Sequence, residues 1–180
     1  MIVETKTGLQ FEVCFKALTK KDVSKYGLTK RNGWSFTWSK IFQDEHNRVF
    51  GMFRLGDNKN ILGALAIVED HNRALIHIEL VEAAPHCKTS ASPQIYKGIG
   101  IHLLCFAMDY SLKRYHNFEG YVGLIAKLNI NETYYEKLGA KLANVFEGQP
   151  YYFFDTESSQ NLVNTYYPGG VTICPNQEKS

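Results

Sequence analysis

Tyr96-Lys97-Gly98-Ile99-Gly100-Ile101-His102-Leu103-Leu104 is the stretch whose reading decides the fold. It follows a β-like run, Ala74-Leu75-Ile76-His77-Ile78-Glu79-Leu80-Val81-Glu82, and opens a helix-like run that lasts to about Arg114. Two glycines let the backbone pack tightly and leave its N–H groups uncovered. A helix start adds donors with no intrahelical partner and a partial positive charge. Strand, glycine turn and helix start together make a place to hold a phosphate-bearing ligand. The same spacing also suits a plain tight turn into a core helix, because glycine punctuates loops everywhere.

Downstream lies Asn131-x-x-x-Tyr135-Glu136-Lys137-Leu138-Gly139, preceded by the β-like run Tyr121–Leu128. Taken with Gly98-x-Gly100, the strand before it and the helix after it, this resembles the GNAT superfamily of N-acetyltransferases over about residues 48–155. The family usually has Gln or Arg three residues before the first glycine; here Ile95 stands there, and Gln94 sits one place off. The loop between strand and glycines is also long, from Pro85 to Lys97.

Working outward, Leu9, Phe11, Val13 and Phe15 alternate with polar or small residues, the period of a half-buried strand. Thr19-Lys20-Lys21-Asp22 offers an N-cap and an acidic first turn, and Gly27 closes that helix. Trp34, Trp38, Ile41 and Phe42 are spaced for one face of a second helix; both tryptophans also read as core. Arg48–Leu55, Asn60–Val68 and the run from Ala74 to Glu82 form a three-strand meander joined by short polar turns. After Gly98, Ile101, Leu104, Cys105, Met108 and Leu112 make a helical apolar stripe. Val122, Leu124, Ala126 and Leu128 share one strand face. Asn129 and Glu132 resemble a capping box, and Gly139 suits a left-handed helix end. Lys141–Phe146 and Tyr151–Asp155 read as the last two strands.

The fold class expected is therefore α+β: a single-domain, GNAT-like, mixed and mainly antiparallel twisted sheet flanked by helices. The resemblance adds that the two central strands splay apart and that the coenzyme arm enters the gap. The domain is expected to span 1–156, with 157–180 as an irregular C-terminal tail.

With 180 residues, one domain can bury a proper core. A net charge of +2 gives no basic stripe, so nucleic acid is not an expected partner. The four cysteines, Cys14, Cys87, Cys105 and Cys174, match no zinc or Cys-x-x-Cys spacing. With no metal pattern, no signal-like leader and no apolar run long enough to span a bilayer, the sequence reads as a cytoplasmic protein with reduced thiols and no membrane partner. Cys105 reads as a buried small hydrophobe.

What the resemblance implies is acetyl transfer from acetyl-CoA, as co-substrate, to a primary amine of a small-molecule or peptide acceptor. A homodimer is a possible assembly. A coenzyme-binding regulatory or scaffold domain without turnover is the alternative. The coenzyme pyrophosphate would meet backbone N–H groups of Gly98, Ile99, Gly100 and Ile101, with Lys97 either adding charge or lying solvated. Backbone of Val81 and Ala83 would pair with the coenzyme amides. Tyr135 matches the family tyrosine; a phenol stays protonated at neutral pH and can donate to a departing thiolate. Asn131 would touch the pantetheine or serve only as a helix-start residue. The base is Glu79 or Glu82. Strand alternation places Glu82 with Ile76, Ile78 and Leu80, and Glu79 with His77 on the other face, unless a bulge breaks the parity. Glu79 is preferred. His77 reads as structural and His102 as a surface residue.

Overall fold

A computed structural model describes residues 1–114, 118–126 and 133–175. In chain order the strands are β1 (Ile2–Glu4), β2 (Gln10–Phe11), β3 (Val13–Ala17), β4 (Asn47–Arg54), β5 (Asp57–Asp70), β6 (Leu75–Ala83), β7 (Tyr96–Lys97), β8 (Val122–Ile125), β9 (Lys141–Phe146) and β10 (Gln149–Phe154). The helices are α1 (Lys20–Lys25), α2 (Trp38–Ile41), α3 (Ile99–Arg114), α4 (Thr133–Lys137) and α5 (Thr156–Tyr166). A seven-stranded sheet runs in the order β3-β4-β5-β6-β8-β10-β9, and a three-stranded sheet in the order β2-β1-β7. β6 and β8 are parallel, while β3–β4, β8–β10 and β9–β10 are antiparallel. This is the mixed α+β sheet that the sequence predicts.

The chain divides into two compact units, Met1–Ala66 with Val81–Leu103 and the stretch from Val171, and Ile67–Leu80 with Leu104–Gly170. In the first unit, β3 lays Val13, Cys14 and Phe15 into the core, and Phe15 pairs with Met52 of β4. The alternating run from Leu9 to Phe15 is not one strand. The chain changes sheets at Glu12, so Phe11 belongs to β2 and Val13 to β3, and Leu9 is exposed. α1 starts as the sequence predicts: the Thr19 N–H and hydroxyl both donate to the Asp22 carboxylate, each at 2.8 Å. The second helix is much shorter than expected. Only Trp38–Ile41 is helical, and both tryptophans are buried.

Cys14 and Cys174 form a disulfide across a sequence separation of 160. The backbone reinforces it: the Phe15 N–H donates to Thr172 O at 2.9 Å, and the Cys174 N–H donates to Phe15 O at 2.8 Å. Reduced thiols at all four cysteines are therefore overturned, and with them one ground for a cytoplasmic setting. Alternation alone could not show that the distant Cys174 returns beside β3. Cys87 and Cys105 are free and buried, and burial pushes each thiol up to about 12. A disulfide closing so long a loop is worth roughly 4–5 kcal/mol in the chain-entropy account. Dithiothreitol, or a Cys14→Ser/Cys174→Ser variant, is expected to lower the thermal midpoint by about 10 °C. An unchanged midpoint in a calorimetric scan would contradict this.

In the second unit, Val122 and Leu124 of β8 and Tyr152 and Phe154 of β10 are buried. α3 is buried on nearly every side beyond Leu104, not along one stripe: Phe106, Ala107, Asp109 and Ser111 are as covered as Cys105 and Met108. Asp109, Tyr110 and Ser111, buried on α3, all have partners. Asp109 pairs with Lys113 at 3.0 Å, the Ser111 hydroxyl donates to Tyr121 O at 3.1 Å, and the Tyr110 hydroxyl donates to Glu69 at 2.7 Å. The stretch read as an irregular tail begins with a helix instead. Asp155 caps α5 by accepting the Ser158 N–H at 2.9 Å, and the buried Ser159 hydroxyl donates to Gly120 O at 2.6 Å. Of the two buried positions of α5, one is the polar Ser159 and the other Val163, too little to give an apolar periodicity.

Candidate functional site

The glycine turn lies in the first unit. Lys97 pairs with Val3, so β7 leads straight into it. Gly98 takes φ +92°, a backbone conformation that side chains disfavour. α3 then begins at Ile99, and the His102 N–H makes the first helical bond to Gly98 O at 3.3 Å. The N–H groups of Ile99, Gly100 and Ile101 precede that bond and have no helical acceptor. Gly98 and Gly100 are exposed, while Ile99 is buried. A Cβ on Gly63 of β5 would come within 2.8 Å of Ile99, 2.9 Å of Leu103 and 3.0 Å of Glu82 O. The absent side chain thus lets the helix start, β5 and the end of β6 pack together. Lys97 is exposed. His102 is not a surface residue: it is 1% exposed, its Nε2 lies 3.0 Å from Met1 O, and burial pushes its pKa down to about 4. Position in a first turn gave no hint of this, because the N-terminal strand covers it.

The end of β6 carries the two candidate carboxylates. The Ile76 N–H donates to Tyr121 O on the β8 side, whereas the Ala84 N–H donates to Leu62 O of β5. In an unbroken strand, residues an even number apart point their N–H groups to the same edge. One residue between Ile76 and Ala84 is therefore out of step, as in a bulge. His77 and Glu79 keep simple alternation, since their side chains lie 3.7 Å apart. The alternation that places Glu82 with Ile76 and Ile78 therefore does not carry through to the strand end.

Glu82 is 6% exposed and accepts four donors: Ser35 N–H at 2.6 Å, Phe36 N–H at 3.4 Å, the Trp38 indole at 3.2 Å and the Lys88 ammonium at 2.7 Å. Lys88 also donates to Gly33 O and to the Ser35 hydroxyl, each at 3.0 Å. Burial alone would raise the Glu82 pKa, but the Lys88 and Ser35 hydrogen bonds outweigh it and hold the carboxyl below its usual range. A carboxylate so occupied is a tie between the 33–38 segment, β6 and the turn at Lys88, not a free base. No short-range signal links Glu82 to Ser35, Trp38 or Lys88, so sequence reasoning misses these partners. Removing a buried carboxylate from such a cluster strands its donors, and Glu82→Ala is expected to cost about 3 kcal/mol. Because the folded pKa is depressed, the tie contributes fully above the unfolded carboxyl pKa and is lost as pH falls through the folded value. The melting difference between wild type and Glu82→Gln should therefore shrink in acid; a constant difference would contradict the assignment.

In the second unit, Glu79 exposes 48% of its side chain. Burial lowers the His77 pKa although Glu79 opposes that, and the ring stacks on Tyr151 at 5.8 Å and 7°. This agrees with a structural His77. Tyr135 is 5% exposed on α4, with its ring 5.2 Å from Tyr134 and 5.6 Å from Tyr152. Burial, then Tyr134, pushes its phenol up to about 12. Gly139 ends the turn at φ +92°, as expected of a left-handed helix end. Asn131, with Asn129, Glu132 and Leu128, lies outside the described residues. Val81 and Ala83 are partly exposed and follow the last β6–β8 pair, Ile78 with Leu124. The structure thus gathers Val81, Glu82, Ala83 and Lys97 to Ile101 in one unit, and Glu79 and Tyr135 in the other. Among the described residues no group of His, Cys, Asp and Glu is placed to hold a metal, and no helix is long and apolar enough to cross a membrane.

No protein-family profile and no curated protein matches the sequence. Solved structures do match the fold. A chimera of the Vibrio cholerae spermidine N-acetyltransferase SpeG and hSSAT has a TM-score of 0.59 at 16% identity, covering 83% of this chain and 99% of that one. FdhC, described as a nucleotide-linked sugar GNAT, gives 0.63 at 12% identity, covering 86% and 93%. The chain has the GNAT fold. A dodecameric Vibrio cholerae spermidine N-acetyltransferase gives 0.56 at 15% identity, covering 88% and 98%. In this GNAT fold the β6–β8 ladder pairs Ile76–Ile78 with Val122–Leu124, and β6 itself runs on to Ala83.

Proposed function

We propose that the chain is an acetyl-CoA-dependent N-acetyltransferase acting on a primary amine. The observation that carries this reading is the exposed glycine turn at the start of α3 within a GNAT fold. In the proposed reaction the neutral amine attacks the thioester carbonyl, a free backbone N–H at the end of β6 steadies the oxyanion, and the C–S bond breaks. The departing thiolate takes the Tyr135 proton. The proton leaving the amine passes through water to Glu79, and the phenolate is reprotonated from solvent. The balance is one acetyl-CoA and one amine in, one amide and one free thiol out. Val81 and Ala83 would align the pantetheine, Gly98 to Ile101 the pyrophosphate, with Lys97 adding charge and Asn131 near the pantetheine.

Glu82 does not share the base role in this reading, because its lone pairs are already engaged. The activity is expected to rise with pH until the base and the bound amine are deprotonated, and Glu79→Gln should flatten or shift that limb. An unshifted pH profile in Glu79→Gln would remove it. The resolved relatives act on spermidine or are linked to nucleotide sugars by name, so spermidine and an amino-sugar nucleotide head the acceptor panel. A second copy of the chain is the proposed partner, with the edge strand β9 offering exposed Leu142, Val145 and Phe146. The alternative, coenzyme binding without turnover, draws on Ile95. It is 41% exposed where the family has Gln or Arg, and its backbone is tied to His86 and Thr5.

A further inference from the structure

The first unit holds a pocket of about 360 Å³ whose lining includes none of the residues given a role in the proposed acetyl transfer. Its polar lining is Arg54, Asp57, Asn60, His86 and Tyr96. The volume falls in the range of small-molecule sites. Arg54 ends β4, and its guanidinium lies 3.8 Å from the centre of the Phe11 ring. Phe11 in turn meets Tyr96 edge-on, at 6.2 Å and 89°. The Phe11 ring packs over the guanidinium carbon and offers no hydrogen-bond acceptor, so the Arg54 N–H groups stay available for hydrogen bonding. Among the described residues, the side chains of Arg54, His86 and Tyr96 make no hydrogen bond.

Asp57 is the nearby negative charge, but its oxygens are engaged in its own turn. They accept the Lys59 N–H at 2.9 Å, the Asn60 N–H at 3.4 Å and the Asn60 side-chain amide at 2.9 Å. Those bonds hold its carboxyl below the usual range. The lining is also framed by backbone: the Ile95 N–H donates to His86 O at 2.9 Å, and Tyr96 pairs with Glu4 of β1. Leu62 and Ile95 supply apolar walls.

We propose that this pocket binds a small organic anion, a phosphate or carboxylate carried on a ring. The anion sits on the Arg54 fork, His86 and Tyr96 hydrogen-bond to it, and Leu62 and Ile95 cover the ring. A guanidinium fork matches both anions in two parallel hydrogen bonds. The anion has two sources: the ribose phosphate of the coenzyme, or a separate metabolite.

The test uses the full chain with adenosine 3′,5′-bisphosphate as probe, followed by calorimetry and by the Tyr96 and His86 ring resonances. Saturable one-to-one binding is expected, weakened about tenfold or more in Arg54→Gln without a change in melting temperature. Tyr96→Phe should weaken it less and guards against a misfolded arginine variant. Displacement by coenzyme A but not by dephospho-coenzyme A assigns the pocket to the coenzyme's ribose phosphate. Retention of the probe beside saturating coenzyme A assigns it to a separate metabolite. No saturable binding, or equal affinity in wild type and Arg54→Gln, overturns the proposal. The readout needs no turnover, so it stands or falls apart from the acetyltransferase reading.

Discussion

Tyr135→Phe is expected to lower turnover by about 100-fold with coenzyme affinity nearly intact. The expectation rests on a proton held where it is needed. Burial beside Tyr134 and Tyr152 pushes the phenol up to about 12, so it is protonated at neutral pH. A proton delivered in the transition state is worth roughly 10²–10⁴ in rate, and losing it should appear in kcat more than in KM. The substitution keeps the ring, and with it the packing against Tyr152, so the fold should survive. Unchanged turnover under conditions where chemistry limits the rate would remove Tyr135 from the mechanism. A fall in melting temperature with turnover preserved would make it a packing residue.

Gly100→Glu should weaken coenzyme binding by about 100-fold. Gly100 is exposed in the first turn of α3, beside N–H groups that precede the first helical bond. A carboxylate there competes for those donors and repels a phosphate, and like charges brought together cost several kcal/mol. Glutamate is itself favourable in the first turn of a helix, so stability should hold. Gly98 is the harsher position: at φ +92° any side chain brings backbone strain, although a Cβ would meet His102 only at an ordinary 3.6 Å. Titration calorimetry with acetyl-CoA separates the two. Wild-type affinity in a folded Gly100→Glu protein would rule out the turn as the coenzyme site.

Where the chemistry of a segment is local, the sequence was readable. Thr19 and Asp22 announce α1, Gly98 announces the start of α3, and Val122 and Leu124 announce β8, which ends at Ile125, before the Ala126 and Leu128 expected to extend it. The features that were not legible depend on partners far along the chain. Glu82 looks like half of an ambiguous pair until Ser35, Trp38 and Lys88 close around it. His102 looks solvated until the N-terminal strand covers it. Cys14 looks like a reduced thiol until the stretch around Cys174 pairs with β3. The facing of Glu82 fails for a different reason. One residue out of step is invisible to a period of two, and only the opposite hydrogen-bond directions of Ile76 and Ala84 reveal it.

The central claim is that the chain moves an acetyl group from acetyl-CoA to an amine. It is tested most directly by incubating the purified protein with acetyl-CoA and the amine panel while following free thiol and the mass of the amine together. The account predicts thiol release that requires both protein and amine, matched mole for mole by an acetylated amine, and sharply reduced in Tyr135→Phe. Tight acetyl-CoA binding with no amine-dependent thiol release would contradict it.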